Sequence, residues 1–363
     1  MSGAPHLYVH LPFCAHRCGY CDFVTAVGRR DDHGSYVDAL ITELALERDL
    51  LAPELETVFL GGGTPTFTEP AALERLLAAL PRAGEVTVEA NPETVTAELA
   101  ALLRRNGVNR ISLGAQSFDR RLLDVLERSA GPDDVRRAFH HLRDAGFDNL
   151  SLDLIYGIPG QSVADLEHDL AEALALEPEH VSAYELEAKP GTRLTRVHGA
   201  ELERQAEAME SYFELVVATL THAGYRWYET ANFCRDERRS GHNLGYWLAH
   251  DYLGIGIGAV STIGNDRWRN APSLRGYTSA LANGRRPPRE PEELGAGLRA
   301  TERVMLGLRL DQPLPLAEIE HALDPAELER LERLGLARRD GQLLALTDRG
   351  RFLGDAVTAA LLA

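Results

Sequence analysis

Short apolar runs alternate with stretches of helical spacing through the first half of the chain. The runs at residues 7–11, 57–60, 86–89, 110–114, 150–155 and 181–184 predict strands. Residues 36–50, 71–80, 97–105, 120–145 and 163–176 carry apolar positions three and four apart and predict helices. A six-fold βα alternation implies a parallel α/β sheet with right-handed crossovers. Curled into a partial (β/α)6 barrel, such a sheet presents its functional groups at the C-terminal ends of its strands.

The pattern then changes. Residues 200–222 read as one long helix. The stretch 225–285 is irregular and aromatic, with Trp227, Tyr228, Tyr246, Trp247 and Tyr252, and the proline-rich 285–291 reads as a linker. From 298 the spacing is helical again, with a hairpin over 337–347 and a last helix, the order of a winged helix. The expected division is a barrel core over 1–225, an irregular α+β extension over 226–290, and a small helical, winged-helix-like C-terminal domain over 298–363. A winged helix can bind nucleic acid. The acidic composition favours packing or protein contact instead, and no nucleic-acid partner is expected.

With 363 residues, 44% hydrophobic and 26% charged, the chain can bury a large core. A net charge of −17 argues against general affinity for nucleic acid or anionic membrane. The start, Met-Ser-Gly-Ala-Pro-His, lacks a basic region followed by an apolar stretch, and runs such as 215–220 are too short to span a bilayer. A cytoplasmic protein without stable membrane insertion is expected. Three of the four cysteines lie within eight residues, which in a reducing compartment favours metal or redox chemistry over disulfides.

Those three stand in Leu11-Pro12-Phe13-Cys14-Ala15-His16-Arg17-Cys18-Gly19-Tyr20-Cys21, a C-x3-C-x2-C spacing directly after the first strand. Thiolates are soft ligands suited to iron–sulfur clusters, and three of them leave one iron of a cubane open to a small chelating molecule. Two alternatives stand beside this. The cysteines could share one buried helix face, although Pro12 and Gly19 favour a loop. Zinc could bind with a fourth ligand from His10, His16 or Cys234. The other strand ends point to one site. Strand two runs into Gly61-Gly62-Gly63-Thr64-Pro65, where glycines admit close approach of a ligand. Strand three ends at Glu89, strand four at Gln116, and strand five carries Asp153 between leucine and isoleucine neighbours. Polar groups at the same end of successive strands describe one concave polar site.

The cysteine segment, the triple-glycine turn, Glu89, Gln116 and Asp153 closely resemble radical S-adenosylmethionine (SAM) proteins of the coproporphyrinogen oxidase-like group, and within it the HemW-type heme-chaperone branch. The stretches 110–118 and 153–161, with 306–309 and 346–350 in the tail, carry the resemblance over almost the whole chain. It implies a radical SAM barrel with a 4Fe-4S cluster on Cys14, Cys18 and Cys21. By the same resemblance, Tyr8 lies beside SAM, Gly62, Gly63 and Thr64 meet its amino-acid end, Glu89, Gln116 and Asp153 hydrogen-bond its ribose or ammonium group, and Arg128 pairs with its carboxylate. Three features separate the heme chaperone from the oxygen-independent coproporphyrinogen III oxidase, which is the alternative. Phe23 stands where the oxidase usually has a fourth cysteine. Only six residues precede the first strand, where the oxidase has a longer arm. His242-Asn243-Leu244-Gly245-Tyr246-Trp247 looks like the branch's His-Asn-x-x-Tyr-Trp motif, which assigns His242 to heme. Two positions depart from the branch: Val260 stands where histidine is frequent, and no histidine follows Arg128. The implied partners are heme and an acceptor apoprotein, and the implied assembly includes a homodimer.

Overall fold

In the computed structural model, residues 3–187 and 189–362 are described. Met1, Ser2, Ala188 and Ala363, with the outermost positions of the first and last expected divisions, lie outside them.

The six expected strands form as β1 (His6–Leu11), β2 (Leu55–Gly62), β3 (Ala83–Ala90), β4 (Arg110–Gln116), β5 (Leu150–Tyr156) and β6 (His180–Glu185). They lie side by side in sequence order, all parallel. Helices α1 (His33–Leu46), α2 (Pro70–Ala79), α3 (Ala97–Arg105), α4 (Arg120–Val125), α5 (Pro132–Asp144) and α6 (Val163–Ala175) cover them. Caps set several helix starts: Thr96 accepts from the Leu99 amide, and Ser162 forms a capping box with Asp165. Leu7, Leu60, Val88, Ile111, Leu152 and Val181 point outward under these helices and are at most 0% exposed. The inner alternate positions are polar, which fits a barrel with a ligand site inside.

The helix expected over 120–145 is two helices. Glu127 adopts φ 57° and Pro132 occupies the first turn of α5, so the chain turns out of the helix at 126–131. That turn carries Arg128 to the barrel rim. The helix expected over 200–222 is also divided, into α7 (Arg193–Gln205) and α8 (Met209–His222), joined by a 3-10 turn at Ala206–Ala208.

The stretch read as irregular holds five short strands and two helices. β7 (Arg226–Glu229) and β8 (Asn232–Cys234) form a hairpin beyond β6, and α9 (Gly241–Trp247) follows. β9 (Tyr252–Ile255) pairs parallel to β1, and β10 (Val260–Ile263), β11 (Asp266–Asn270) and β12 (Arg289–Glu293) continue antiparallel. The result is one twelve-stranded sheet, ordered β12-β11-β10-β9-β1-β2-β3-β4-β5-β6-β8-β7. The end of the stretch read as a proline-rich linker, residues 289–291, is therefore part of its last strand. Pro291 is tolerated because β12 is an edge and the missing N–H breaks no inner ladder. Strands of three to five residues give too little alternation to be legible.

Glu43 of α1 locks this extension down. It is 0% exposed and accepts from the Gly256 amide at 2.8 Å, Asn270 Nδ2 at 2.7 Å and the Tyr277 hydroxyl at 2.5 Å. Arg289 lies 3.6 Å away. Removing the carboxylate strands these buried donors, while Arg289 keeps Glu47 at 2.7 Å. Glu43→Ala is expected to cost about 3–5 kcal/mol in chemical denaturation, whereas the exposed Glu320→Ala leaves the midpoint unchanged.

Helix α10 (Leu274–Ala282) precedes β12, and the tail is α11 (Ala296–Gly307), α12 (Pro325–Arg333), α13 (Asp348–Phe352) and α14 (Gly354–Leu361) around three short strands, Leu314–Pro315, Ala337–Asp340 and Leu343–Leu346. Val304, Leu331, Leu344 and Leu361 centre its separate apolar cluster. It docks on β7, with Arg309 on Glu229 at 2.7 Å and Arg351 over the Trp227 ring at 3.7 Å. On α12, Arg330 and Arg333 pair with Glu327 and Glu329, so that helix presents no free basic face.

Candidate functional site

Strand alternation turns Tyr8, Phe59, Glu89, Ser112, Asp153 and Ser182 from β1 to β6 inward, and together they line one cavity of about 700 Å³. The three clustered cysteines, the eight positions assigned to SAM and His242 all line it too. Arg110, Asn91 and Tyr184, to which sequence reasoning gave no role, join them, as does Tyr246 of the aromatic motif. Ser112 and Ser182 were legible in principle, because a strand repeats its inward face every second residue.

The cysteine loop follows β1 at the rim. The two-residue segments Phe13–Cys14 and Ala26–Val27 pair with each other, and Gly28 donates to the Cys14 carbonyl at 3.0 Å. Residues 15–25 contain no helix, so the buried-helix alternative fails. The loop is held from both sides: Gly19 N donates to Leu126 O at 3.1 Å, and Leu194 N donates to Gly19 O at 2.9 Å. All three thiols are free. Thr64 Oγ1 donates to Cys14 Sγ at 3.6 Å and Arg128 Nη1 to Cys18 Sγ at 3.7 Å, so donors already face the sulfurs where thiolate charge would sit. Burial pushes the Cys14 thiol up to about 11 against the Thr64 hydrogen bond, and burial also raises Cys21.

Of the three fourth ligands open to zinc, His10 and Cys234 are withheld from the cysteines. His10 engages both ring nitrogens, with the Val24 carbonyl at 2.8 Å and the Tyr8 hydroxyl at 3.1 Å. His16 turns Nε2 to the Glu127 carbonyl at 3.0 Å. Cys234 pairs with His180 at the start of β6, the opposite end of the barrel, outside the cavity lining. Three thiols opening on one cavity, with no further thiol in its lining, fit a cluster with one open iron.

The glycine turn is shaped by its neighbours. Gly62 has φ 108°, and a Cβ there would sit 2.4 Å from the His10 ring; at Gly63 it would meet the Pro12 carbonyl carbon at 2.6 Å. The Gly62 amide donates to Glu89 Oε2 at 3.0 Å. Arg128 Nη2 bonds Asn91 Oδ1 at 3.0 Å and Gly114 O at 2.8 Å, and Asn91 Nδ2 in turn donates to Thr64 Oγ1 at 3.1 Å. Thus Arg128, Asn91 and Thr64 form one polar ridge beside Cys14 and Cys18. Asp153 accepts from Ser112 Oγ at 3.0 and 3.1 Å. Gln116 adopts φ 66°, an uncommon value for a side-chain-bearing residue and one found at binding sites. Burial lifts Glu89 to about 7, offset by the Gly62 amide and reinforced by Asp153; burial also raises Asp153, against the hydrogen bond from Ser112. Burial thus holds both carboxyls above the ordinary carboxylate range, and Glu89 ionises near neutrality.

His242 is at the other end. It is 1% exposed, with Nδ1 on Thr57 Oγ1 at 2.7 Å and Nε2 on the Tyr246 hydroxyl at 2.9 Å. Thr57 Oγ1 also meets His6 Nδ1 at 2.9 Å, and His6 Nε2 meets His250 Nδ1 at 3.2 Å. Burial, then the charges of His6 and Arg110, hold His242 down at about 3, so its ring is neutral. Neither ring nitrogen is free in this arrangement, and direct ligation of iron by His242 requires its bond to Tyr246 to open. Tyr246 lines the cavity beside it.

Two family models match: the radical SAM superfamily over residues 8–173, and the HemN C-terminal domain over 299–353. A heme chaperone HemW of Mycobacterium tuberculosis is 41% identical, the alignment covering 100% of this chain and 96% of that protein. The Bacillus subtilis heme chaperone HemW is 34% identical over 98% of each chain. Among solved structures, the Escherichia coli coproporphyrinogen III oxidase HemN, a radical SAM enzyme, superposes with a TM-score of 0.82 over 99% of this chain and 90% of its own, at 24% identity. That likeness establishes a shared fold. Among the described residues no helix is long and apolar enough to cross a membrane.

Proposed function

The chain belongs to the HemW family of heme chaperones within the radical SAM superfamily, and from this we propose that it carries a 4Fe-4S cluster on Cys14, Cys18 and Cys21, binds SAM beside it, and accepts heme for transfer to an acceptor apoprotein. One observation carries the reading: the thiols, the SAM-facing residues and the His-Asn-x-x-Tyr-Trp segment open on a single cavity. A cluster with an open iron and SAM together supply one-electron chemistry when bound. The chain's own part is positional. Arg128 offers a guanidinium fork to a carboxylate, Glu89 and Asp153 accept from hydroxyl or ammonium donors, and the walls of the barrel exclude water.

For heme, His242 acts through Tyr246. Its neutral ring holds the phenol that faces the cavity. His242→Ala is expected to weaken hemin binding about tenfold, with one hemin still bound per chain and the iron's absorption bands unchanged. A change in those bands together with the loss would make His242 an iron ligand. Affinity equal to wild type would remove it from the heme site. A second reading, oxygen-independent coproporphyrinogen III oxidase, is favoured by the complete set of SAM-facing residues in the cavity. Its test is substrate-dependent 5′-deoxyadenosine, and absence of that product with coproporphyrinogen III removes it.

A further inference from the structure

We propose that Arg110 anchors a carboxylate of the tetrapyrrole, so that the barrel floor reads a propionate arm; this rests on the heme-carrier reading above. Arg110 is the first residue of β4, beside Thr87 of β3 and at the end of the strand away from the cysteines. It is 2% exposed, yet it lines the cavity. Among the described residues its guanidinium forms no ion pair and no hydrogen bond, and its Nε is buried without a partner.

The groups around it are committed elsewhere. Asp153 feels the arginine's charge but is held by Ser112. Glu89 accepts from the Gly62 amide, and Glu85 from the amides of Gly241 and His242 at 3.0 and 3.2 Å. His180 and Tyr228 bond each other at 2.8 Å, and His180, like His242, is driven toward its neutral form first by burial. None of these groups neutralises Arg110.

A buried cation without a counter-ion is unfavourable, and its planar fork matches a carboxylate. Two ligands with carboxylates could meet it: SAM and a porphyrin carrying propionates. SAM's carboxylate has a nearer candidate in Arg128, which stands beside Cys18 at the rim. The two arginines thus divide the cavity, Arg128 at the cluster end and Arg110 at the floor.

The test uses the full chain with its cluster reconstituted anaerobically. Hemin, hemin dimethyl ester and SAM are titrated separately into wild type, Arg110→Met and Arg110→Lys. Expected is a loss of at least tenfold in hemin affinity for Arg110→Met, a smaller loss for Arg110→Lys, ester binding that is equally weak in all three, and unchanged SAM affinity. Ester binding to wild type as tightly as hemin overturns the anchor, and needs no variant to fold. Equal losses for hemin and ester in Arg110→Met, or a loss confined to SAM, also overturn it. Hemin failing to bind wild type at all overturns the carrier reading together with the anchor, whereas the other failures leave that reading standing.

Discussion

Cys18→Ser is expected to reduce iron and acid-labile sulfide in anaerobically reconstituted protein to below roughly a tenth of wild type. Serine keeps the size and removes the soft ligand, and among the described residues no fourth thiol lines the cavity to replace it. His10 has both nitrogens engaged, His16 holds the Glu127 carbonyl, and Cys234 lies at the far end of the barrel. Cys234→Ser is the matched control and should leave the cluster intact. Loading also follows pH with a definite sign. Burial holds Cys14 at about 11 and raises Cys21, so without metal both are neutral thiols near pH 7. A cluster needs thiolates, so each ligation expels a proton, and reconstitution strengthens as pH rises through the neutral range. Thr64 and Arg128 already donate toward Cys14 and Cys18, which lowers the cost of the charge once it forms. Iron content unaffected by Cys18→Ser would refute the assignment of that thiol.

The barrel was legible because each strand carries a short apolar run set between stretches of helical spacing, and each of the six lies where its run does. The cysteines were legible because their spacing has few other uses in a loop. Other parts were hidden for physical reasons. Pro132 is a helix-start signal inside an otherwise helical pattern, and the pattern outvoted it; the resulting turn is what places Arg128. The short antiparallel strands between 226 and 293 gain stability from Glu43, a single buried acid that in sequence reads as a surface charge on α1. Arg110 likewise looks like any basic residue opening a strand. Its meaning comes from the absence of partners, and partners are known only once the chain is folded. The motif around His242 was visible, but not that both ring nitrogens are engaged. Composition therefore located the site, and hydrogen bonding assigned the work within it.

In the SAM site proposed above, Glu89 links binding to pH. Its carboxyl is lifted to about 7, first by burial, against the Gly62 amide. Only the ionised form is a pure acceptor for hydroxyl or ammonium donors. SAM affinity of the cluster-loaded protein is therefore expected to rise about tenfold between pH 6 and pH 8, following one ionisation near 7. Glu89→Gln should flatten that profile and bind SAM about tenfold more weakly than wild type at pH 8. Stability without SAM moves the other way. A carboxyl whose folded value is raised above its unfolded one contributes stability that is fully present below the unfolded value and is lost as pH rises through the folded value. The loss in wild type thus falls between the ordinary glutamate range and about 7, and Glu89→Gln escapes it. At pH 8 the variant should melt a few degrees higher than wild type, on the order of 2–4 °C per kcal/mol recovered. Weaker binding with a higher melting temperature is a signature that general damage to the fold cannot produce. A pH-independent SAM affinity in wild type would take Glu89 out of the SAM site, and a lower melting temperature in the variant would make its role structural.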